Sequence, residues 1–196
     1  MSAITVITGP VSEPVSLAEA KAQCRVDVTE DDALITGLIV TAREEVERRI
    51  WHAIISQTLE LVLDEWPWCR SVELPRPPLM SVTSIKYKIA DGTETTWGSS
   101  NYIVAAAHVP GRVVLANGAS WPSATLYPTE AIRIRYVAGY ANAAAVPQSL
   151  KQAMLLLIAH WYEMREAAIA TGAMPKDVPY GVQVLLTSYR ERARSR

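Results

Sequence analysis

The sequence predicts an α+β fold, a bundle of about four helices carrying an inserted small antiparallel β subdomain. Three observations lead there. Apolar residues recur at helical spacing over 29–50 and again over 147–162. Residues 56–137 switch to strand-like alternation, and prolines and turn dipeptides crowd that alternating stretch. The expected organisation is N-terminal helices over 1–55, an inserted β-rich subdomain over 56–140, and C-terminal helices with a basic tail over 141–196, all in one compact domain.

The first helix announces itself at Ser16-Leu17-Ala18-Glu19, a capping box in which Ser16 accepts from the amide three residues on and Glu19 reaches back. It should fade near Arg25-Val26-Asp27. A second start follows at Thr29-Glu30-Asp31-Asp32, with acids where the helix dipole favours them. Leu34, Leu38, Ala42, Val46 and Ile50 then recur every four residues, with Ile35 and Ile39 alongside. That stripe predicts a long amphipathic helix whose opposite, solvated face carries Arg43, Glu44, Glu47 and Arg48.

From Ser56 the period becomes two. Leu59, Leu61 and Leu63 mark one strand; Ile85, Tyr87 and Ile89 mark another, closed by an Asp91-Gly92 hairpin turn. Tyr102–Ala105 and Arg112–Leu115 are shorter candidates. Ile132-Arg133-Ile134-Arg135-Tyr136-Val137 is apolar on one face and basic on the other. With Pro75, Pro77, Pro78, Pro110, Pro122 and Pro128 interrupting, the block should form a small antiparallel sheet or barrel.

Pro147 fits the first turn of a third helix, whose Leu150, Met154, Leu155, Leu157, Ile158, Trp161 and Tyr162 mark a central core element ended by Gly172 and Pro175. A short last helix holds Val182, Leu185, Leu186 and Tyr189. Arg190, Arg192, Arg194 and Arg196 close the chain.

Composition excludes several function classes. With 49% hydrophobic and 20% charged residues the chain can bury a core. A net charge of −1 gives no general attraction to nucleic acid or acidic membrane. Met1–Thr8 lacks the basic start of a signal peptide. The longest apolar run, Ala153–Ala159, falls short of the roughly 20 residues that span a bilayer. Synthesis in the cytoplasm is the expectation. Cys24 and Cys69 show no metal or redox spacing and read as free thiols.

No catalytic residues, cofactor site or metal site emerge. His52, His108 and His160 match no zinc spacing, and there is no GxSxG, P-loop or GxGxxG. His160 and Glu163 stand one helical turn apart, an arrangement that suits a capped histidine. Asp31-Asp32 and Glu44-Glu45 suit capping and solvation.

Two features read as partner surfaces. Trp66-Pro67-Trp68 puts two large aromatics in a loop or strand end, with Trp97 and Trp121 in turn-rich segments, and tryptophan is enriched at interface hot spots. The alternative for these rings is to cap the small sheet in a chain without phenylalanine. The arginines at 190, 192, 194 and 196 could meet DNA phosphates or an acidic partner surface.

Taken together, several motifs resemble one family. They are Glu13-Pro14-Val15-Ser16-Leu17-Ala18-Glu19-Ala20-Lys21 with Asp31-Asp32-Ala33-Leu34-Ile35; Ser56-Gln57-Thr58 with Glu60-Leu61; and Leu74-Pro75-Arg76-Pro77-Pro78-Leu79 running into Ser81-Val82-Thr83-Ser84-Ile85. Arg135-Tyr136-Val137-Ala138-Gly139-Tyr140 resembles the family's last strand. Val146-Pro147, Lys151-Gln152-Ala153 and His160-Trp161-Tyr162-Glu163 resemble its long third helix, and Gly181-Val182 to Tyr189-Arg190 its closing one. The family is that of the "gp6-like" phage head–tail connector (adaptor) proteins, in a longer variant with a β insertion that is also found in phage-like gene transfer particles. Ile50-Trp51-His52 departs from the Thr-Gly pair expected at the end of the second helix.

The resemblance implies a structural, non-enzymatic subunit at the head–tail junction of a virion. It implies a homo-oligomeric ring, a dodecamer, docked on the portal protein, extending the DNA channel and meeting a tail stopper or tail-terminator protein. DNA would pass without sequence-specific contact, and no membrane is involved. Two other readings fit the residues alone: a tail-completion or terminator subunit, and a small ligand-binding module.

Overall fold

The computed structural model describes residues 2–164 and 180–194, with side chains of the last helix described through Tyr189. The chain divides into two compact units. One joins Met1–Val11 to Ser56–Tyr140, the other Ser12–Ile55 to Ala141–Arg196.

The first unit is two antiparallel sheets. Strands β1 (Ser2–Thr8), β2 (Gln57–Leu63), β4 (Leu79–Lys88), β5 (Glu94–Trp97) and β8 (Ile132–Ala138) make a five-stranded sheet in the order β1-β2-β8-β4-β5. Strands β3 (Ser71–Leu74), β6 (Tyr102–Ala105) and β7 (Gly111–Leu115) make a three-stranded sheet in the order β3-β7-β6. The expected strands are present; the barrel alternative is not, because among the described residues both sheets keep open edges. Strand β1 has no counterpart in the expected organisation. It exists by pairing with β2, Ile4 opposite Leu61 and Val6 opposite Leu59.

The alternation of β8 shows in its register. Ile134 aligns with Leu61 on one side and Ile85 on the other, and Ile85 aligns with Trp97, so one face is a continuous apolar row. On the other face Arg135 lies opposite Glu60 and donates to it through Nε and Nη2 at 3.0 and 2.7 Å. Lys86 pairs with Glu94 at 2.7 Å. Tyr136 is fully buried on the apolar face, and its hydroxyl donates to the Pro75 carbonyl at 2.8 Å. Burial raises the affinity of that phenol for its proton. The Asp91-Gly92 turn forms as expected, with Gly92 at φ 93° and Asp91 Oδ1 accepting from the Thr93 amide.

The start of β7 packs against the start of β4. A methyl group at Gly111 would stand 2.4 Å from Leu79 Cβ and 2.6 Å from Leu79 Cδ2. The first of those atoms cannot swing away. Gly111→Ala is therefore expected to cost about 1–3 kcal/mol by forcing the two strands apart. Thermal unfolding checks it: an unchanged melting temperature would mean the strands part at no cost.

The second unit holds, among the described residues, four α-helices: α1 (Leu17–Cys24), α2 (Asp32–Ile50), α3 (Gln148–Glu163) and α4 (Tyr180–Arg194). The capping box is complete, with Ser16 Oγ accepting from the Glu19 amide at 3.2 Å and Glu19 Oε2 accepting from the Ser16 amide at 2.7 Å. Those bonds hold the Glu19 carboxyl below its ordinary pKa. Helix α3 starts one residue later than expected, at Gln148, with Pro147 as its N-cap at φ −54° and ψ 136°, and packs against α1, α2 and α4. Gly172 and Pro175, expected to end it, lie outside the described residues.

The buried stripe of α2 is Ile35, Ile39, Ala42, Val46 and Ile50, whereas Leu34 is exposed and Leu38 half-buried. A strict four-residue repeat advances about 40° per step around a helix. Its N-terminal members therefore drift off the face that its C-terminal members bury, and Ile35 and Ile39 take their places. Helix α2 ends on Trp51 at φ 58°, a left-handed cap where the family resemblance led to glycine. Any side chain there carries strain that glycine avoids.

Candidate assembly surface

Among the described residues no group of three or more His, Cys, Asp or Glu could hold a metal ion. His52 is buried, with Nδ1 2.7 Å from the Ile50 carbonyl and its ring edge-on to Tyr189 at 6.0 Å. His108 Nε2 meets Arg112 at 3.2 Å. No hydrogen bond or ion pair joins His160 to Glu163. Cys24 is half-buried and Cys69 exposed, with Cys69 Sγ donating to the Ser71 carbonyl at 3.1 Å.

One hollow of about 290 Å³ opens on the first unit, lined by charged Lys86, Lys88, Glu94, Glu130 and Arg133 with Tyr87. Ligand pockets are typically larger and mostly apolar. Here the charges already answer one another: Lys86 holds Glu94, Arg133 lies 3.5 Å from Glu130, and Lys88 Nζ sits 3.9 Å over the Tyr127 ring. Pairing with Lys86 keeps the Glu94 carboxyl below its usual range.

The tryptophan loop is built differently from its sequence. Trp66 and Trp68, two residues apart, go opposite ways. Trp66 stacks on Trp121 at 4.8 Å and 11°, and lies 5.5 Å from Trp97 and 6.1 Å from Tyr87. Trp97 stacks in turn on Tyr102 at 5.4 Å, and burial pushes the Tyr102 phenol's pKa up. Trp121 Nε1 donates to the Cys69 carbonyl at 2.9 Å, fixing the far side of the loop. Trp66 Nε1 is buried without an acceptor. Between those two fixed points Trp68 stands wholly in solvent, at 103% relative exposure. Offset aromatic contacts of this kind add to the area they bury, so the cluster anchors the loop that carries the exposed ring.

In the second unit the expected solvated face of α2 needs correction. Arg43 and Glu47 are both buried. Arg43 Nε donates to Glu13 Oε2 at 2.9 Å and Nη1 to Glu47 Oε2 at 3.1 Å, while Glu47 Oε1 accepts from the Ile54 amide at 2.8 Å. Burial alone would lower the guanidinium's pKa. The Glu13 hydrogen bond and the charges of Glu13, Glu47 and Glu44 outweigh it and hold the pKa above its ordinary value. An i,i+4 Arg–Glu pair beside the apolar stripe was the available signal; its partner Glu13, 30 residues away, was not. At the other end of α2, Tyr162 of α3 donates to Asp31 Oδ2 at 2.5 Å.

Helix α4 buries Val182 and Leu186, and Tyr189 reaches Ser149 of α3 through paired hydroxyls at 3.0 Å. Its other face exposes Tyr180 and Val184. Arg190, Arg192 and Arg194 fall in its last turns; their side chains, and Arg196 altogether, lie outside the described residues.

Comparison with known proteins gives two kinds of match. A family model described as head completion protein matches residues 14–192. Three solved structures of gene transfer agent (GTA) particles contain similar chains. One, from the virion of a native particle, is 28% identical with a TM-score of 0.76, covering 95% of this chain and 94% of that one. One from the neck of an empty particle, computed with C6 symmetry, is 29% identical with a TM-score of 0.75, covering 96% and 95%. One from the neck of a native particle, computed with C12 symmetry, is 29% identical with a TM-score of 0.66, covering 94% of each chain. No curated protein sequence matches the chain.

Proposed function

The chain belongs to the head completion protein family, and from that premise we propose that its copies form a ring docked on the portal protein of a tailed phage or phage-like particle. Its role is that of a structural head–tail connector. The observation that carries the reading is likeness over 94–96% of the chain to subunits in the necks of gene transfer agent particles, at 29% identity. The C6 and C12 symmetries of those necks support a ring of twelve copies.

In such a ring each subunit meets its neighbours through two different surfaces. The ring extends the DNA channel toward a tail stopper or tail-terminator protein. A net charge of −1 suits a channel through which DNA passes without being held. Trp68, held out by the aromatic cluster, is the anchor for a neighbouring virion protein, and the arginines at 190, 192, 194 and 196 reach the portal or the channel wall.

Electron microscopy of particles made without this chain tests the reading. The expected result is finished tails lying beside tailless heads that packaged or leaked DNA. Normal tailed particles would remove the chain from the junction. Capture of the purified chain by tails but not by portal-bearing heads would make it a tail-completion subunit instead.

A further inference from the structure

Among the described residues the two sheets of the first unit have four open edges, and they are not equally guarded. A free edge presents unpaired N–H and C=O groups to any extended chain, and soluble proteins block such edges with charge, proline or a bulge. Edge β5 carries Glu94, paired with Lys86, and edge β3 carries exposed Glu73. The other two carry no charged side chain. Edge β1 reads Ser2-Ala3-Ile4-Thr5-Val6-Ile7-Thr8 and edge β6 reads Tyr102-Ile103-Val104-Ala105, without a charge or a proline in either. A register shift between Val6 and Thr8 touches only the end of β1, leaving Ser2–Val6 regular.

Among the described residues β1 pairs with β2 alone and β6 with β7 alone. Both bare edges expose large β-branched side chains: Val6 at 55%, Ile7 at 42%, Ile103 at 58% and Val104 at 36%. Each is thus a strand suited to receive another strand.

These edges belong to different sheets of one unit. That placement selects the occupant. Pairing β1 with a second β1 would be isologous and would stop at a dimer. Pairing β1 of one copy with β6 of the next is heterologous and leaves one edge of each kind free for the following copy, so it builds a ring where the rotation between copies closes. We infer that the ring's subunit joint is a β-sheet joint, in which the β1 edge of each copy pairs with the β6 edge of its neighbour. The inference rests on the ring reading above and names the surfaces that make it.

Cross-linking in assembled particles tests it. In a chain carrying Cys24→Ser and Cys69→Ser, cysteines are placed at Val6→Cys and Ile103→Cys and bridged with a short bis-maleimide, which tolerates a small error in register. The expected product is a ladder of covalent dimers, trimers and higher multiples on a denaturing gel, with each single-cysteine chain giving none. Particles that show the ring by electron microscopy but yield no ladder overturn the joint and leave the ring standing. Dimers from Val6→Cys alone mean that β1 pairs with itself, which also overturns it. Particles with no ring at the neck end both readings. Charge gives an independent check: Val6→Lys with Ile103→Lys should lower the yield of tailed particles about tenfold or more, and Val6→Lys with Ile103→Glu should restore it. Equal yields from the two pairs would count against the joint.

Discussion

Arg43→Ala is expected to lower folding stability by about 3–5 kcal/mol, the loss that follows when one partner of a buried ion pair is removed. The side chains of Arg43 and Glu47 each keep only 7% of their exposure, and Glu13 keeps 26%. Removing the guanidinium leaves two carboxylates in that low-dielectric setting with one cation fewer. The damage is also local in a useful way. Glu13 lies in the segment before α1, Arg43 and Glu47 sit on α2, and the Ile54 amide that Glu47 accepts lies beyond the end of that helix. One guanidinium thus fastens the chain on both sides of α2. Urea denaturation is the measurement, read as a fall in midpoint at unchanged slope. The triple change Arg43→Met, Glu47→Gln and Glu13→Gln should recover much of the loss, because it leaves no unpaired charge buried and the glutamine carbonyl still accepts from the Ile54 amide. A loss below about 1 kcal/mol for Arg43→Ala would mean that the cluster is solvated like a surface pair.

The same cluster marks the boundary of what the sequence could disclose. Signals that act within a few residues were legible: the Ser16–Glu19 box, the Asp91-Gly92 turn, Pro147 before α3, and the apolar-basic alternation of β8. Each is fixed by bonds or sterics inside its own turn or strand. Features that depend on a distant partner were not. Arg43 and Glu47 look like a solvated i,i+4 pair until Glu13 arrives from 30 residues away. Strand β1 carries no burial alternation of its own, being exposed along nearly its whole length, and is a strand only because β2 offers it an edge. The family resemblance reached further than either kind of signal, because motif order over nearly the whole chain encodes the fold that single motifs leave open. Even so it gave no view of which surfaces meet.

The tryptophan loop turns that limit into an experiment. Trp66 and Trp68 are equivalent in sequence, yet Trp97 and Trp121, brought from other segments, take in the first and leave the second outside. Trp97→Ala should therefore cost about 3–5 kcal/mol, since it empties the centre of the aromatic cluster. Trp68→Ala should leave stability within about 0.5 kcal/mol, as exposed substitutions do. Its expected effect is on docking: a solvent-held tryptophan that becomes a buried anchor is worth about 2 kcal/mol or more, roughly a 30-fold loss in affinity. Thermal unfolding of the free subunit and its capture by portal-bearing heads or by purified tails separate the two. A Trp68→Ala chain that docks normally to both would move the contact elsewhere, to the arginines at the end of α4 or to the apolar residues exposed on that helix. A Trp68→Ala chain that folds normally and fails to dock would instead explain why four aromatic rings are packed behind a loop that buries none of its own tip. Their role would be to fix the backbone of the loop that presents Trp68 to solvent, so that less chain has to be ordered when a partner takes the ring.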